Sequence, residues 1–415
     1  MVRRAWLLLA CSLGLAACAV QSPLYTSGQP TSLTTGTQAA APASRKVAIL
    51  LPLSGPMAAI GEDMLQAAQL VLQASGSPPF QAYDTAGTPS GAATAAERAV
   101  AEGSGIILGP LTASDTAAAA PLARKAGIPM LAFTNDEGEA RPGVWVMGVT
   151  PGQQVRRLVA ALQQRGKTRL AALLPENQFG SALEAAVQAA ASAAGDPPPT
   201  IQTYSPGMAN LNQAVHSLSD YANRRGPIEA RIRAARALET PAGRAEMRQL
   251  NRLPIPPPPF DALLLAATGT TLEEIGSLLP YYDLTANQVQ VIGPILWQDP
   301  TVRRGTELGG AWYPAPDPAA RQQFAAAYAA KFGSPPPFLA DLAFDAAALA
   351  RVLAAGPGYS VAALTNPAGF TGADGVLALT PGGQVKRGLA VFSIGAGGQA
   401  SVLDPAPTNL ATPGT

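Results

Sequence analysis

Cysteine and histidine are almost missing from this sequence. Its two cysteines, Cys11 and Cys18, lie within the first eighteen residues, and its single histidine is His216. The body of the chain therefore holds no disulfide and no thiol chemistry. One histidine supports neither a His-based metal site nor a Ser-His-Asp triad. Charge is sparse too: 28 basic against 27 acidic side chains leave a net +1, so no global field draws in nucleic acid. The glycines form no phosphate-binding loop and no GxGxxG fingerprint, and no spacing pairs two acids as general acid and base. The expectation is a non-enzymatic protein with no catalytic residue, no metal, no cofactor and no nucleic-acid partner.

Long apolar runs are lacking as well, apart from one at the N-terminus. Arg3 and Arg4 precede an apolar segment, residues 5–17, that is short for a membrane span and has the layout of a secretory signal. It ends in Leu15-Ala16-Ala17-Cys18, which resembles the bacterial lipobox. The resemblance implies that residues 1–17 are removed and that Cys18 carries a lipid anchor to the membrane. The plainer alternative is an ordinary signal with a stray cysteine, but small residues and cysteine coincide at the end of the run. Ala19 rather than Asp follows, which favours the outer membrane over the inner. Residues 18–44 are rich in Ser, Thr, Gly, Pro and Gln and read as a flexible tether. Residues 405–415 read as a disordered tail.

What is present is a repeated strand–loop–helix pattern. Residues 46–55, KVAILLPLSG, hold an unbroken apolar run followed by turn residues, as in a strand buried on both faces of a parallel sheet. Met64, Leu65, Ala68 and Leu72 then follow the helical period. Strands at 80–83, 105–108, 128–133 and 144–149 alternate with helices at 90–102 and 114–125. A second series runs from a helix at 152–165 through strands at 170–174, 200–204, 260–266, 289–293 and 310–313. Helices at 321–332 and 341–355 follow. Residues 376–379 and 389–394 flank Pro381-Gly382-Gly383-Gln384 and read as a closing hairpin. The fold class is α/β, with parallel sheets and right-handed crossovers, and 415 residues suffice for two cores.

Four words, KVAILLPLSGPMAAIG, GIILGPLTASDT, AGIPMLAFTND and LPENQFG, stand in the order and spacing of the type I periplasmic binding proteins. The resemblance covers residues 45–404. It implies two lobes, each a parallel sheet flanked by helices, with three interlobe crossings near Val149, Tyr313 and Thr371. Lobe 1 would be 45–149 plus 314–371, and lobe 2 would be 150–313 plus 372–404. A small ligand would sit in the interlobe cleft, against Ser54, Thr112, Ser114, Thr134 and Asn135 on one lip and Asn177, Phe179, Thr268 and Trp297 on the other. Loop hydroxyls also serve turns and caps, so each of these has a purely structural alternative. Amino-acid binders of this fold hold the ligand carboxylate with hydroxyls and its ammonium with an acid from the second lobe. Here Ala113 stands where a hydroxyl is expected, Ile295 where the acid is expected, and Ile60 where an aromatic is expected. Only Asp299 or Asp136 offers a replacement acid.

Residues 206–259 exceed what the family needs between two strands. One helix is marked by Leu211, Val215, Leu218 and Ala222, with His216 on it as a packing or solvated residue. Residues 224–252 carry eight arginines against three glutamates, followed by the stiff run Pro254-Ile255-Pro256-Pro257-Pro258-Pro259. This stretch reads either as a solvated basic excursion or as a partner-facing projection. LPLSGPMAAIG, GPLTASDT and FDALLLAAT further resemble the penicillin-binding protein activators, the LppC or LpoA-like lipoproteins. That resemblance implies an outer-membrane lipoprotein supporting peptidoglycan synthesis through contact with a penicillin-binding protein, a peptidoglycan synthase. The alternative is the substrate-binding lipoprotein of an ABC importer of the branched-chain amino-acid class, with an ABC permease as partner.

Overall fold

The structure, a computed structural model, describes residues 45–303 and 308–410. The signal, Cys18, the tether and the last five residues of the tail lie outside them. The chain opens with β1 (Val47–Leu51), α1 (Ala58–Leu72), β2 (Phe80–Asp84), α2 (Pro89–Ala101), β3 (Ile106–Leu108), α3 (Ala113–Lys125), β4 (Met130–Ala132) and β5 (Val144–Val146). These strands form one parallel sheet in the order β2-β1-β3-β4-β5. Every residue of β1 is buried, because helices cover both faces of the sheet. On one face Met64, Ala68 and Leu72 of α1 pack against Val47, Ile49 and Leu51. On the other, alanines of α2 and α3 pack against Ala48, Leu50 and Ile107. The alanine-rich composition is thus used where helices lie close on a sheet.

The second part runs through α4 (Pro151–Gln163), β6 (Leu170–Pro175), α5 (Gln178–Ala194), β7 (Thr200–Tyr204), α6 (Met208–Leu218), α7 (Tyr221–Ala237), α8 (Pro241–Leu250), β8 (Ala262–Leu265), α9 (Gly269–Tyr281), β9 (Gln290–Ile292), α10 (Pro300–Arg303) and β10 (Trp312–Ala315). The last part is α11 (Pro318–Phe332), α12 (Ala340–Ala355), α13 (Val361–Leu364), β11 (Phe370–Gly372), β12 (Gly375–Leu379), β13 (Val385–Arg387), β14 (Ala390–Ile394) and β15 (Ala400–Asp404). The second sheet has the order β15-β14-β10-β9-β8-β6-β7, parallel from β10 to β7 and antiparallel at β14 and β15. Phe324 and Tyr328 of α11 and the buried face of α12 return to the first core.

The closing hairpin differs from the sequence expectation. Val376–Leu379 does not pair with residues 389–394. β12 pairs with β13, and with β11 they make a third sheet. Leu377, Leu379 and Val385 bury their side chains in the first core, so this hairpin belongs to lobe 1. Only β14 and β15 join lobe 2. The third crossing therefore falls at 388–389 rather than near Thr371. The turn between β12 and β13 is pinned to lobe 1, where Val146 donates its backbone N–H to the Gly383 carbonyl at 3.0 Å. A short strand with two charged residues in three, Val385-Lys386-Arg387, gives no apolar alternation for a sequence reading to find.

Within the expected insertion, α6 is part of the lobe 2 core through Leu211, Ala214, Val215 and Leu218. His216 packs its ring edge-on to Tyr221 and Tyr282, with centroids 6.0 and 5.5 Å away. The excursion proper is the α7–α8 hairpin.

Candidate functional site

A cavity of about 890 Å³ opens between the two sheets. Lobe 1 supplies the loops that follow β3 and β4. The first reaches the cleft because Gly109 crosses the end of β1 with φ +102°. A Cβ there would sit 2.1 Å from the Leu50 carbonyl oxygen. Thr112 then caps α3, accepting from the Asp115 N–H at 3.1 Å, and Thr134 accepts from the Asp136 N–H at 3.1 Å. Both hydroxyls thus hold backbone, and both residues line the cavity. Phe133, Asn135, Asp136 and Glu137 complete that wall, and Arg321, Phe338, Leu339, Asp341, Leu342 and Asp374 extend it from α11 onward. Lobe 2 contributes Arg156 of α4, then Gln178, Phe179, Ala182, Ala185, Ala186 and Ala189 along α5, and finally Ile295, Leu296 and Gln298. Leu296 and Phe338, on opposite lobes, are 42% and 53% exposed.

Charge in the cavity is concentrated at the lobe 1 end. Arg321 pairs with Asp341 and lies 3.4 Å from Asp374. Behind them Arg387 pairs with Asp345 at 3.0 Å and donates from Nε to the Met147 carbonyl at 3.2 Å. Three buried carboxyls thus face two guanidiniums. Burial pushes Asp374 up to about 7 and Asp345 up to about 6, and raises Asp341 in the same direction. Burial thus favours the protonated form in a cluster that has one more carboxyl than guanidinium.

A family model described as "Periplasmic binding protein" matches residues 44–222. Among solved structures, a putative branched-chain amino acid ABC transporter from Rhodospirillum rubrum is 19% identical with a TM-score of 0.66, covering 87% of this chain and 100% of that one. The C-domain of LpoA from Haemophilus influenzae, a regulator of PBP1A, is 16% identical with a TM-score of 0.60, covering 86% and 99%. Full-length LpoA from the same organism is matched over 87% of this chain but 59% of its own. No curated protein matches the sequence. The chain has the type I periplasmic binding protein fold.

In this binding-protein fold the cleft gathers four of the nine residues singled out from sequence, Thr112, Thr134, Asn135 and Phe179. The other five lie elsewhere. Ser54 is exposed on the loop after β1, its N–H held by Asp84 at 3.2 Å. Ser114 is exposed and hydrogen-bonds Thr112 at 3.2 Å. Asn177 caps α5 through the Gly180 N–H at 3.0 Å, and Thr268 takes the N-terminal position of α9. Trp297 is fully buried in the lobe 2 core, donating from Nε1 to the Ala267 carbonyl at 2.9 Å. The short 3-10 turn Ile295–Gln298 points the indole inward against Gly293 and leaves Ile295, Leu296 and Gln298 on the cleft.

Of the two replacement acids, Asp136 lines the cavity and Asp299 does not. Among the described residues lobe 2 brings no carboxylate to the cavity lining. Sequence reasoning missed Arg156, Arg321, Asp341, Asp374 and Phe338. Asp341 did leave a trace, as an acid in the otherwise apolar start of α12.

Among the described residues no helix is long and apolar enough to cross a membrane, and no group of His, Cys, Asp and Glu is placed to hold a metal.

Proposed function

We propose that this protein is a non-enzymatic, lipid-anchored envelope protein of the penicillin-binding protein activator kind, held at the outer membrane through Cys18 and acting by contact with a peptidoglycan synthase. The observation that carries the reading is the lobe 2 wall of the cleft. Ile295 stands where a closing amino-acid binder brings an acid, and among the described residues that lobe offers the cavity no carboxylate. An ammonium closed against that wall would lose water, at a cost of several kcal/mol, without gaining a partner from lobe 2, and of the two replacement acids only Asp136 on the opposite lobe lines the cavity. The same fold therefore suits uptake of amino acids poorly, and the likeness to the LpoA C-domain over 99% of that domain supports a contact role. The test is direct binding of the purified protein to a bifunctional penicillin-binding protein from its own organism, with polymerase or transpeptidase rate as second readout. Saturable binding with a rate increase is expected. Absence of both overturns the reading.

The size of the cleft favours a second reading, a substrate-binding lipoprotein of an ABC importer. A cavity of about 890 Å³ is within the range that takes small ligands. In that case a ligand without an ammonium group is the one that suits the lobe 2 wall, with its alanines, Ile295, Leu296 and the cationic Arg156.

A further inference from the structure

The α7–α8 hairpin holds the basic excess of the whole molecule. Residues 224–252 carry eight arginines and three glutamates, a net +5, whereas the whole chain is +1. The rest of the chain is therefore net acidic. The hairpin stands between α6 and β8 and contributes no strand to any of the sheets.

Its construction separates one arginine from the others. Arg224 is buried and donates to the carbonyls of Ser219, Pro256, Tyr282 and Asp283. It ties the base of the hairpin and the proline run to α9. Ile232 and Ala235 of α7 and Gly243 and Leu250 of α8 are buried between the helices. Gly243 permits the approach, since a Cβ there would meet the Ala235 carbonyl oxygen at 2.3 Å. The remaining arginines lie off this seam. Arg225, Glu229, Arg233 and Arg236 follow one another at intervals of four, four and three along α7, which places them on one side of the helix. Arg244, Arg248 and Arg252 repeat every four residues along α8 and the turn after it. Arg225 pairs with Glu229 and Arg231 with Glu246. Arg233, Arg236, Arg248 and Arg252 have no carboxylate within ion-pair distance among the described residues.

We propose that this hairpin is a docking surface for an acidic protein segment, the carboxylates of which pair with the arginine rows. The proposal rests on the reading of the chain as a contact protein and names the chemistry of one contact. A planar guanidinium matches a carboxylate in two parallel hydrogen bonds, so arginine rows suit a carboxylate-bearing surface. A lipid surface fits less well: the exposed large apolar residues of the hairpin are Leu238 near its tip and Leu253 beyond α8, not the continuous apolar face that inserts into a bilayer. A second copy of the chain is the rival occupant. Glu102, Glu139, Asp261 and Asp404 are already paired with Lys46, Arg141, Arg169 and Arg165, but Glu62, Glu97 and Glu273 are exposed. Self-association of the parent at low salt that the hairpin variant loses therefore overturns the proposal.

The test uses the full chain in neutral detergent and a fluorescent short poly-L-glutamate at low salt. The triple variant Arg233→Glu, Arg236→Glu, Arg248→Glu is compared with Arg124→Glu, Lys125→Glu, Lys386→Glu, which makes the same charge change elsewhere on the surface. Salt-sensitive binding is expected in the parent, weakened about tenfold or more in the hairpin variant and within about twofold in the control. No binding by the parent, or an equal loss in both variants, overturns the proposal. So does hairpin-dependent attachment to phosphatidylglycerol nanodiscs without poly-glutamate binding. Binding of the synthase is measured separately. Its failure with poly-glutamate binding intact removes the proposed function and leaves the surface standing.

Discussion

Arg224 and Arg387 are both buried, and their surroundings call for opposite experiments. Arg224 is bonded to four backbone carbonyls, so Arg224→Met leaves those acceptors without a donor. A loss of about 3 kcal/mol in urea unfolding is expected, with the slope of the transition unchanged. Arg387 instead sits among carboxyls, and there pH is the probe. The folded-state values of Asp345 and Asp374 are raised, to about 6 and about 7, chiefly by burial. The folded protein therefore holds protons that the unfolded chain releases at ordinary carboxylate values. The contribution is fully present below those ordinary values and is lost as pH rises through 6 and 7. Stability should fall from about pH 4 to about pH 7 and level off above that, by up to about 1.4 kcal/mol per pH unit for one proton. Asp374→Asn should flatten that stretch of the curve. A parent whose stability rises over the same range would show that the cluster is fully ionised.

At the scale of elements, the α7–α8 hairpin and the β12–β13 hairpin separate what is added from what is built in. The first touches the body through Arg224 and a few residues at its base. The second fills the lobe 1 core with Leu377, Leu379 and Val385. Replacing residues 226–252 by a short Gly-Ser linker should remove helical signal in circular dichroism and leave a single cooperative transition near the parent's. Loss of that transition would make the segment part of the core. Leu377→Ala should cost about 3 kcal/mol, as deletion from a packed core does. Sequence patterning separated these cases poorly. Arginine spacing marked residues 224–252 as unusual but could not tell the anchoring Arg224 from the solvent-facing rows. The strand Val385–Arg387 carries a buried ion pair in place of apolar alternation.

For the whole molecule the decisive feature is a cleft with carboxyl groups on lobe 1 and, on lobe 2, a largely apolar wall whose charged lining residue, among the described residues, is Arg156. Millimolar leucine, isoleucine or valine should leave the melting temperature unchanged, because among the described residues lobe 2 brings no carboxylate to meet the ligand's ammonium group. A saturable upward shift, abolished by Thr134→Ala, would favour transport over activation. Cys18→Ser should release the protein from membranes or leave its precursor uncleaved. A mature variant that stays on membranes in high salt would count against the lipid anchor.

The sequence by itself determined the α/β class, the buried strands β1, β3, β4 and β6, and the loops after β3 and β4 that reach the cleft. Apolar runs, turn residues and helical periods are local, and a strand covered on both faces has to be apolar throughout. Only the tertiary structure decided which way short loops face. Trp297 and Leu296 are neighbours, yet one fills a core and the other lines the cleft. A single 3-10 turn sets that choice, and its residues carry no period. The tertiary structure also decided the carboxyl–guanidinium cluster. Arg387 and Asp345 are 42 residues apart, and Arg321 and Asp341 are 20 apart. Each looks like an ordinary charged residue until the folded chain removes water from around all of them at once.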